Sequence, residues 1–252
     1  MICVGFKGRL GNQLFQYAAC RSLAENKMVD FHIPRIFLGN HQLKLNCYMG
    51  NEYQFYMRTH QEINPYLYDP SFHNLPDDIF LDGYFSSEKY FYTHKDKVKE
   101  WYKQPYNKIA EDFLKQYNIN DYCYIHFRAT DYIDTPYWLP QSYFDNAKNE
   151  IKKINSEIKF IIITDDVISA KNYFPDDLIF MNDIDVDFYL LSHSRYFITS
   201  NGSFDWWTIY LNDVYEKIIG PKDWLNYNHK LDDIAKGHIS ETSEQEKITY
   251  II

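Results

Sequence analysis

Glycine and proline are scarce in this 252-residue chain, at nine each. Their combined share is below the ~12% of average usage. Collagen-like, elastic and most disordered architectures are thereby excluded. Cysteine is equally sparse. Cys3, Cys20, Cys47 and Cys123 form no CxxC pair and no metal-finger spacing, so neither a disulfide scaffold nor a structural zinc site is expected. Basic residues are in deficit. Lys plus Arg number 26 against 35 Asp plus Glu, a formal net charge of −9. A duplex-coating nucleic-acid binder shows the opposite balance, so no nucleic-acid partner is expected. No run approaches the ~20 apolar residues of a membrane span. The opening MICVGFKGRLGNQLFQ lacks the charged-then-apolar order of a signal peptide. These absences give the expectation of a cytoplasmic, reduced compartment, with at most peripheral membrane association.

What the chain does hold is apolar and aromatic surface. Hydrophobic residues make 45% and aromatics 19%, with 24 Tyr and 18 Phe. A chain of this length buries roughly 70–75% of its unfolded surface as one large or two small domains. The many Tyr are read first as compositional bias, since Asn, Ile and Lys are abundant beside them. The second reading is stacking platforms for sugars or bases.

Met1–Phe6 is an apolar run that predicts a strand. GFKGRLGNQ follows, and then Leu10, Leu14, Phe15, Ala18, Ala19 and Leu23 recur at helical spacing. A second strand is expected at Val29–Pro34. Residues 35–95 are Tyr-rich, broken by Pro65, Pro70 and Pro76, and read as short strands and loops. Asp96–Tyr117 reads as one helix. From Asn118 the pattern starts again. Strands are expected at Tyr122–Phe127, Lys159–Thr164, Leu178–Met181 and Tyr196–Ser200. Helices are expected at Gln141–Ile154 (capped by Ser142), Val167–Tyr173, Val186–Ser194 and Ser203–Leu211. Alternating strands and helices imply an α/β fold with parallel sheets. The two starts imply two Rossmann-like halves facing one another, at 1–117 and 118–238. The tail, 239–252, has no predicted place.

Four segments carry chemistry. Gly5, Gly8 and Gly11 stand three apart, which is neither a dinucleotide nor a P-loop fingerprint. A glycine turn before a helix lets the backbone approach an anion, and Arg9, Asn12 and Gln13 add a cation and amides. The competing reading is a tight turn with Asn12 as helix cap. In YIHFRATDY, alternation puts His126 and Arg128 on one side of a strand's carboxyl end, where open α/β sheets bind ligands. Arg128 suits a phosphate pair, and Asp131 either orients that Arg or acts as a base. The competing reading is a satisfied core His and an Arg128–Asp131 salt bridge. In IIITDD, Asp165 and Asp166 end an apolar strand. A carboxylate there accepts a guanine edge, or caps the next helix. In TSNGSFDWW, Ser200, Asn201, Gly202 and Ser203 lead into an aromatic helix whose N-terminus suits a diphosphate. The Asn201 sequon and a hairpin turn are the disfavoured alternatives. MNDIDVDF places Asp183, Asp185 and Asp187 in alternation. Metal ligation by them is the minority reading, because acidic residues also favour a helix N-terminus.

GRLGNQLFQYA, LDGYFSSEKYF, HFRATDY and SNGSFDWW, at 8–18, 81–91, 126–132 and 200–207, together resemble the alpha-1,2-fucosyltransferase family. The resemblance implies a GT-B fold, with the donor in the cleft between two Rossmann-like domains. It implies GDP-fucose as donor, an oligosaccharide or glycolipid acceptor, inversion at the anomeric carbon and no required metal or other cofactor. By similarity, His126 contacts the guanine or nearby donor atoms, and Arg128 the diphosphate. Asp165 and Asp166 read the guanine. Asn201, Ser203 and Phe204 open the helix that cradles the β-phosphate. Gly8, Arg9, Asn12 and Gln13 close the cleft near fucose and acceptor. Arg128, Asp131 and Asn12 are the expected catalytic set, Asp131 as base and Asn12 orienting the hydroxyl. Where the family has a second Arg and then Gly, this chain has Ala129 and Thr130, and Gly202–Ser203 replaces a Ser-Thr pair. Two readings compete: the same fold with another donor, such as a rhamnosyl or other GDP-hexose, and a non-catalytic carbohydrate-binding protein.

Overall fold

The computed structural model describes residues 1–34, 48–49, 57–65, 67–135, 137–222 and 247–251. The chain divides into two compact units, the first running to Pro105 and the second beginning at Tyr106.

The first unit opens with β1 (Ile2–Val4), a glycine turn and α1 (Leu10–Lys27). It continues through β2 (Phe31–Ile33), β3 (Tyr48–Met49), β4 (Arg58–Gln61) and β5 (Ile79–Asp82) to the short α2 (Lys95–Trp101). All strand pairs are parallel, in the order β3-β2-β1-β5-β4. The helix after β1 forms as its periodicity predicts, and Leu14, Phe15, Ala18 and Ala19 are all buried. Buried Tyr90, Phe72 and Phe85 meet edge-on or tilted, with ring centroids 4.7–5.4 Å apart. Such pairs add about 0.5–1.5 kcal/mol each to their burial. Part of the irregular 35–95 stretch, and Cys47, lie outside the described residues.

The second unit begins with α3 (Lys108–Gln116). The expected single helix at 96–117 is therefore two helices, with the interruption around Pro105, which cannot donate the helical hydrogen bond. The sequence reading placed α3 with the first half. It sits instead on the second sheet's unit, where Phe113 packs on Phe180 at 4.8 Å and Tyr189 donates to Glu111 at 2.6 Å.

The chain then runs β6 (Tyr122–Phe127), α4 (Gln141–Ile154), β7 (Lys159–Thr164), α5 (Val167–Tyr173), β8 (Leu178–Phe180), α6 (Ile184–Ser192), β9 (Tyr196–Ile198), α7 (Ser203–Tyr210), β10 (Lys217–Pro221) and β11 (Ile248–Ile251). The sheet is again wholly parallel, ordered β11-β10-β9-β6-β7-β8. The KFIIIT run is buried from Phe160 onward, as befits a strand covered on both faces. On α4, Tyr143, Phe144, Ala147 and Ile151 face the core. Ser142 is not its cap, because Pro140 takes the cap position and the helix starts at Gln141. The unplaced tail supplies the edge strand β11, and the Lys247 ammonium beside it donates to the Ile209 and Asn212 carbonyls behind α7, where a cation suits the helix dipole. Residues 239–246 lie outside the described residues.

Candidate active site

In the second sheet, β6 lies at the centre. The chain proceeds outward through β7 and β8 on one side and through β9, β10 and β11 on the other. The order therefore reverses between β6 and β9, and in open parallel sheets the ligand crevice lies beyond the carboxyl ends at such a switch point. His126 and Arg128 leave from β6, and Ser200, Asn201 and Ser203 follow β9. The Ser200 hydroxyl stitches the two loops, donating to the His126 carbonyl at 2.8 Å and accepting from the Arg128 amide at 3.3 Å.

Arg128 keeps only 14% of its side chain exposed. Its Nε and one terminal nitrogen donate to the two carboxylate oxygens of Asp131, at 2.9 and 2.6 Å. Its guanidinium lies 4.6 Å from the centre of the Tyr132 ring, a cation–π contact that fixes the plane. The clasp is the Arg128–Asp131 salt bridge of the competing reading, and it also holds the guanidinium in one orientation. A carboxylate with both oxygens on a guanidinium is a weak base. Beside the clasp, Arg128, Tyr132, Tyr137, Trp138, Ser200 and Asn201 line a narrow gap together with the apolar Phe127, Leu139 and Phe144, too tight to admit a water molecule. Asn201 donates its amide to the Tyr137 carbonyl at 3.1 Å. Its buried Oδ1 has no hydrogen-bond partner among the described residues.

The two expected guanine readers both accept hydrogen bonds from nearby backbone. Asp165 accepts from the Ala129 and Thr130 amides at 2.8 and 3.3 Å and from the Thr130 hydroxyl at 2.6 Å. Burial opposes its ionisation, but these bonds outweigh burial and hold the carboxyl below its usual range. Asp165 thus pins the loop that aims Arg128. Asp166 accepts from the Ile168 and Ser169 amides and caps α5. Both carboxylates thus also hold the local fold, Asp165 the loop after β6 and Asp166 the start of α5.

His126 is buried, and its Nδ1 lies 2.8 and 2.9 Å from the two carboxylate oxygens of Asp205. Burial disfavours the imidazolium. The charge and hydrogen bond of Asp205 more than offset that and raise the pKa above the ordinary histidine value. Phe204 tilts against the imidazole at 5.3 Å and meets Phe188 of α6 at 5.2 Å. Asp187 on α6 also bears on His126. Burial raises its carboxyl to about 6 despite a hydrogen bond from Asn182. Asp205 is the residue that sequence reasoning passed over. Its signal was an acid inside the aromatic run FDWW, where a charge is tolerated only with a partner.

Gly8, Arg9, Asn12 and Gln13 belong to the first unit and gather at the turn after β1. Gly8 has φ +70°, and a Cβ there would crowd the Asn12 side chain, so glycine is favoured at this position. Gln13 donates to the Gly8 carbonyl at 3.1 Å. Gln16, which the sequence reading did not single out, clasps Lys7 through both its backbone groups. Arg9 occupies the cap position of α1 and is exposed. Asn12 is inside the helix, so it is not the cap.

The model of glycosyl transferase family 11 matches residues 67–236. The chain belongs to glycosyl transferase family 11. It is similar to the alpha-1,2-colitosyltransferase of Escherichia coli, at 27% identity over 159 residues, covering 57% of this chain and 55% of that protein. It is also similar to the O-antigen biosynthesis glycosyltransferase WbnK of Escherichia coli, at 27% over 175 residues, covering 60% and 56%. The chain thus spans about half the length of each relative. Its fold resembles the Bradyrhizobium NodZ alpha-1,6-fucosyltransferase co-crystallized with GDP, with a TM-score of 0.53 at 15% identity, covering 87% of this chain and 94% of that one. Two Rossmann-like units, each a parallel sheet, make the GT-B architecture that the resemblance implied. In this family 11 chain, Ala129 and Thr130 stand where a second Arg and Gly are usual, and their amides are the groups that Asp165 holds. Asp183, Asp185 and Asp187 sit at or inside the start of α6, and no group of three metal-ligating side chains occurs among the described residues.

Proposed function

We propose that the protein is an inverting glycosyltransferase that moves L-fucose from GDP-fucose to a sugar hydroxyl, O-2 of a galactose-like acceptor, in glycan or polysaccharide synthesis. Membership of family 11 and the fold shared with a GDP-bound fucosyltransferase support transfer from a GDP-sugar. The observation that carries the reading is the Arg128–Asp131 clasp at the β6/β9 switch point, a preorganised guanidinium beside a helix N-terminus.

The acceptor oxygen attacks the anomeric carbon, and the bond to the β-phosphate oxygen breaks with its electron pair going to GDP. Negative charge grows on that phosphate. Arg128 and the amides opening α7 near Asn201 and Ser203 meet it, and electrostatic stabilisation of this kind is usually the largest single contribution to rate. A diphosphate drawing Arg128 from Asp131 would also restore basicity to that carboxylate, which would then take the acceptor proton.

A specific observation favours one neighbouring reading. One relative is named a colitosyltransferase, and colitose differs from fucose by a missing hydroxyl. Calorimetry with GDP, followed by a donor panel of GDP-fucose, GDP-colitose, other GDP-hexoses and a rhamnosyl nucleotide, tests the proposal. Products are analysed by mass spectrometry and NMR. GDP binding and fucosyl transfer with inversion are expected. Preferred turnover of GDP-colitose would reassign the sugar. Glycan binding with no response to GDP would make this a carbohydrate-binding protein.

A further inference from the structure

Asp205 is completely buried and its neighbour His126 nearly so, at 0% and 11% side-chain exposure. A carboxylate this deep is stable only when its charge is matched. The groups facing the imidazole are Asp205 from α7, Asp187 from α6 and Arg128 from the end of its own strand. Asp205 alone touches it, with both oxygens within 2.9 Å of Nδ1. It is also the third residue of α7, where a negative charge suits the helix N-terminus. The bond to Nδ1 fixes the ring's orientation and leaves Nε2 as its remaining polar atom. Nε2 has no hydrogen bond to the described residues. On a neutral ring Nε2 would be a lone pair, which repels an anion. On a charged ring it is a donor.

We propose that Asp205 is a positioning residue that keeps His126 as an imidazolium, so that Nε2–H serves as a second cationic donor to the donor's diphosphate beside Arg128. This rests on the GDP-sugar reading above. Asp187 is the secondary partner, since it acts on the ring through space and makes no hydrogen bond to it. The site would then meet the departing phosphate with two charges held by two carboxylates, Arg128 by Asp131 and His126 by Asp205.

The test uses the full chain. GDP affinity is measured by calorimetry across a pH series, and the His126 Cε1–H resonance is titrated by NMR without ligand. Wild type is compared with Asp205→Asn, which keeps an acceptor for Nδ1–H and loses the charge, and with His126→Asn. In wild type, GDP affinity falls at the pH where His126 loses its proton. Asp205→Asn moves both midpoints toward acid by about one pH unit or more, the usual effect of removing an adjacent opposite charge. His126→Asn removes the pH dependence, and adding Asp205→Asn to it changes affinity little further. Should Asp205→Asn be too unstable, Asp205→Glu keeps the charge and is expected to retain a raised midpoint. An unmoved midpoint in folded Asp205→Asn, or GDP affinity flat with pH in wild type, would overturn the assignment. Absence of any GDP binding by wild type would instead remove the GDP-sugar reading, while the ligand-free NMR titration would still decide whether Asp205 holds the charge.

Discussion

Arg128 is kept ready by three contacts that each limit a different freedom. Asp131 takes two of its donors, Tyr132 fixes its plane, and Ser200 accepts its backbone amide. A guanidinium so held loses little entropy when a diphosphate displaces the carboxylate. Replacing Arg128 by Ala removes one preorganised donor, which costs about 2.7–4 kcal/mol, or ~10²–10³ in kcat. Steady-state kinetics on a variant of unchanged circular dichroism checks this, and near wild-type turnover would refute the role. Asp187 offers a second residue-level prediction. Burial raises its carboxyl from 3.8 to about 6. Folding therefore favours the protonated form. Its contribution is fully present below pH 3.8 and is lost as pH rises through about 6. Asp187→Asn retains an acceptor for Asn182 and carries no charge. It should raise stability at neutral pH, by on the order of 3 kcal/mol at most, and flatten the fall between those pH values in urea titrations. The glycine turn was legible in the sequence as a turn, but not in its internal bonding. Gln16 reaching back nine residues to Lys7 is a contact that helical spacing does not announce.

At the scale of elements, the two adjacent acids after β7 have separate duties. Asp166 caps α5, and Asp165 reaches across to the loop after β6. Asp166→Ala is expected to lower Tm and leave GDP affinity unchanged. Asp165→Ala should weaken GDP binding as well, because the loop carrying Arg128 and Asp131 loses its anchor. Calorimetry and thermal melts on the pair separate the duties, and equal loss of GDP affinity in both would favour guanine reading by both. The strands and most helices of the second unit were readable because their apolar periodicity reflects burial on one face or two. The strand β10 and the edge strand β11 beside it were not assigned. Each is short, and pairing of β11 to β10 joins residues about thirty apart, which no local window contains. The single helix expected at 96–117 failed for a different reason, the Pro105 that interrupts it. Its apolar positions serve two different surfaces.

At the scale of the molecule, both sheets reverse their strand order, between β1 and β5 in the first unit and between β6 and β9 in the second. The glycine turn follows β1, and the Arg128 loop follows β6. A net charge of −9 makes a local cluster of cations necessary for any dianionic ligand, and the His126–Arg128 end of β6 supplies one. Hydrogen exchange with and without GDP provides the corresponding test. Added protection is expected at residues 126–132 and 200–206. Protection spread evenly along the chain, or confined to other strand ends, would contradict a switch-point site.

The sequence by itself determined the α/β alternation, the buried strands and the four segments that carry the family resemblance, because those features are written in local periodicity and short spacing. Only the tertiary structure decided which acid serves which purpose. Asp131, Asp165, Asp166 and Asp205 are chemically alike, and each takes its role from the donor that folding sets within about 3 Å of it. For Asp205 that donor is 79 positions away in the chain. No local pattern encodes such a distance; it follows from β6 and β9 lying side by side.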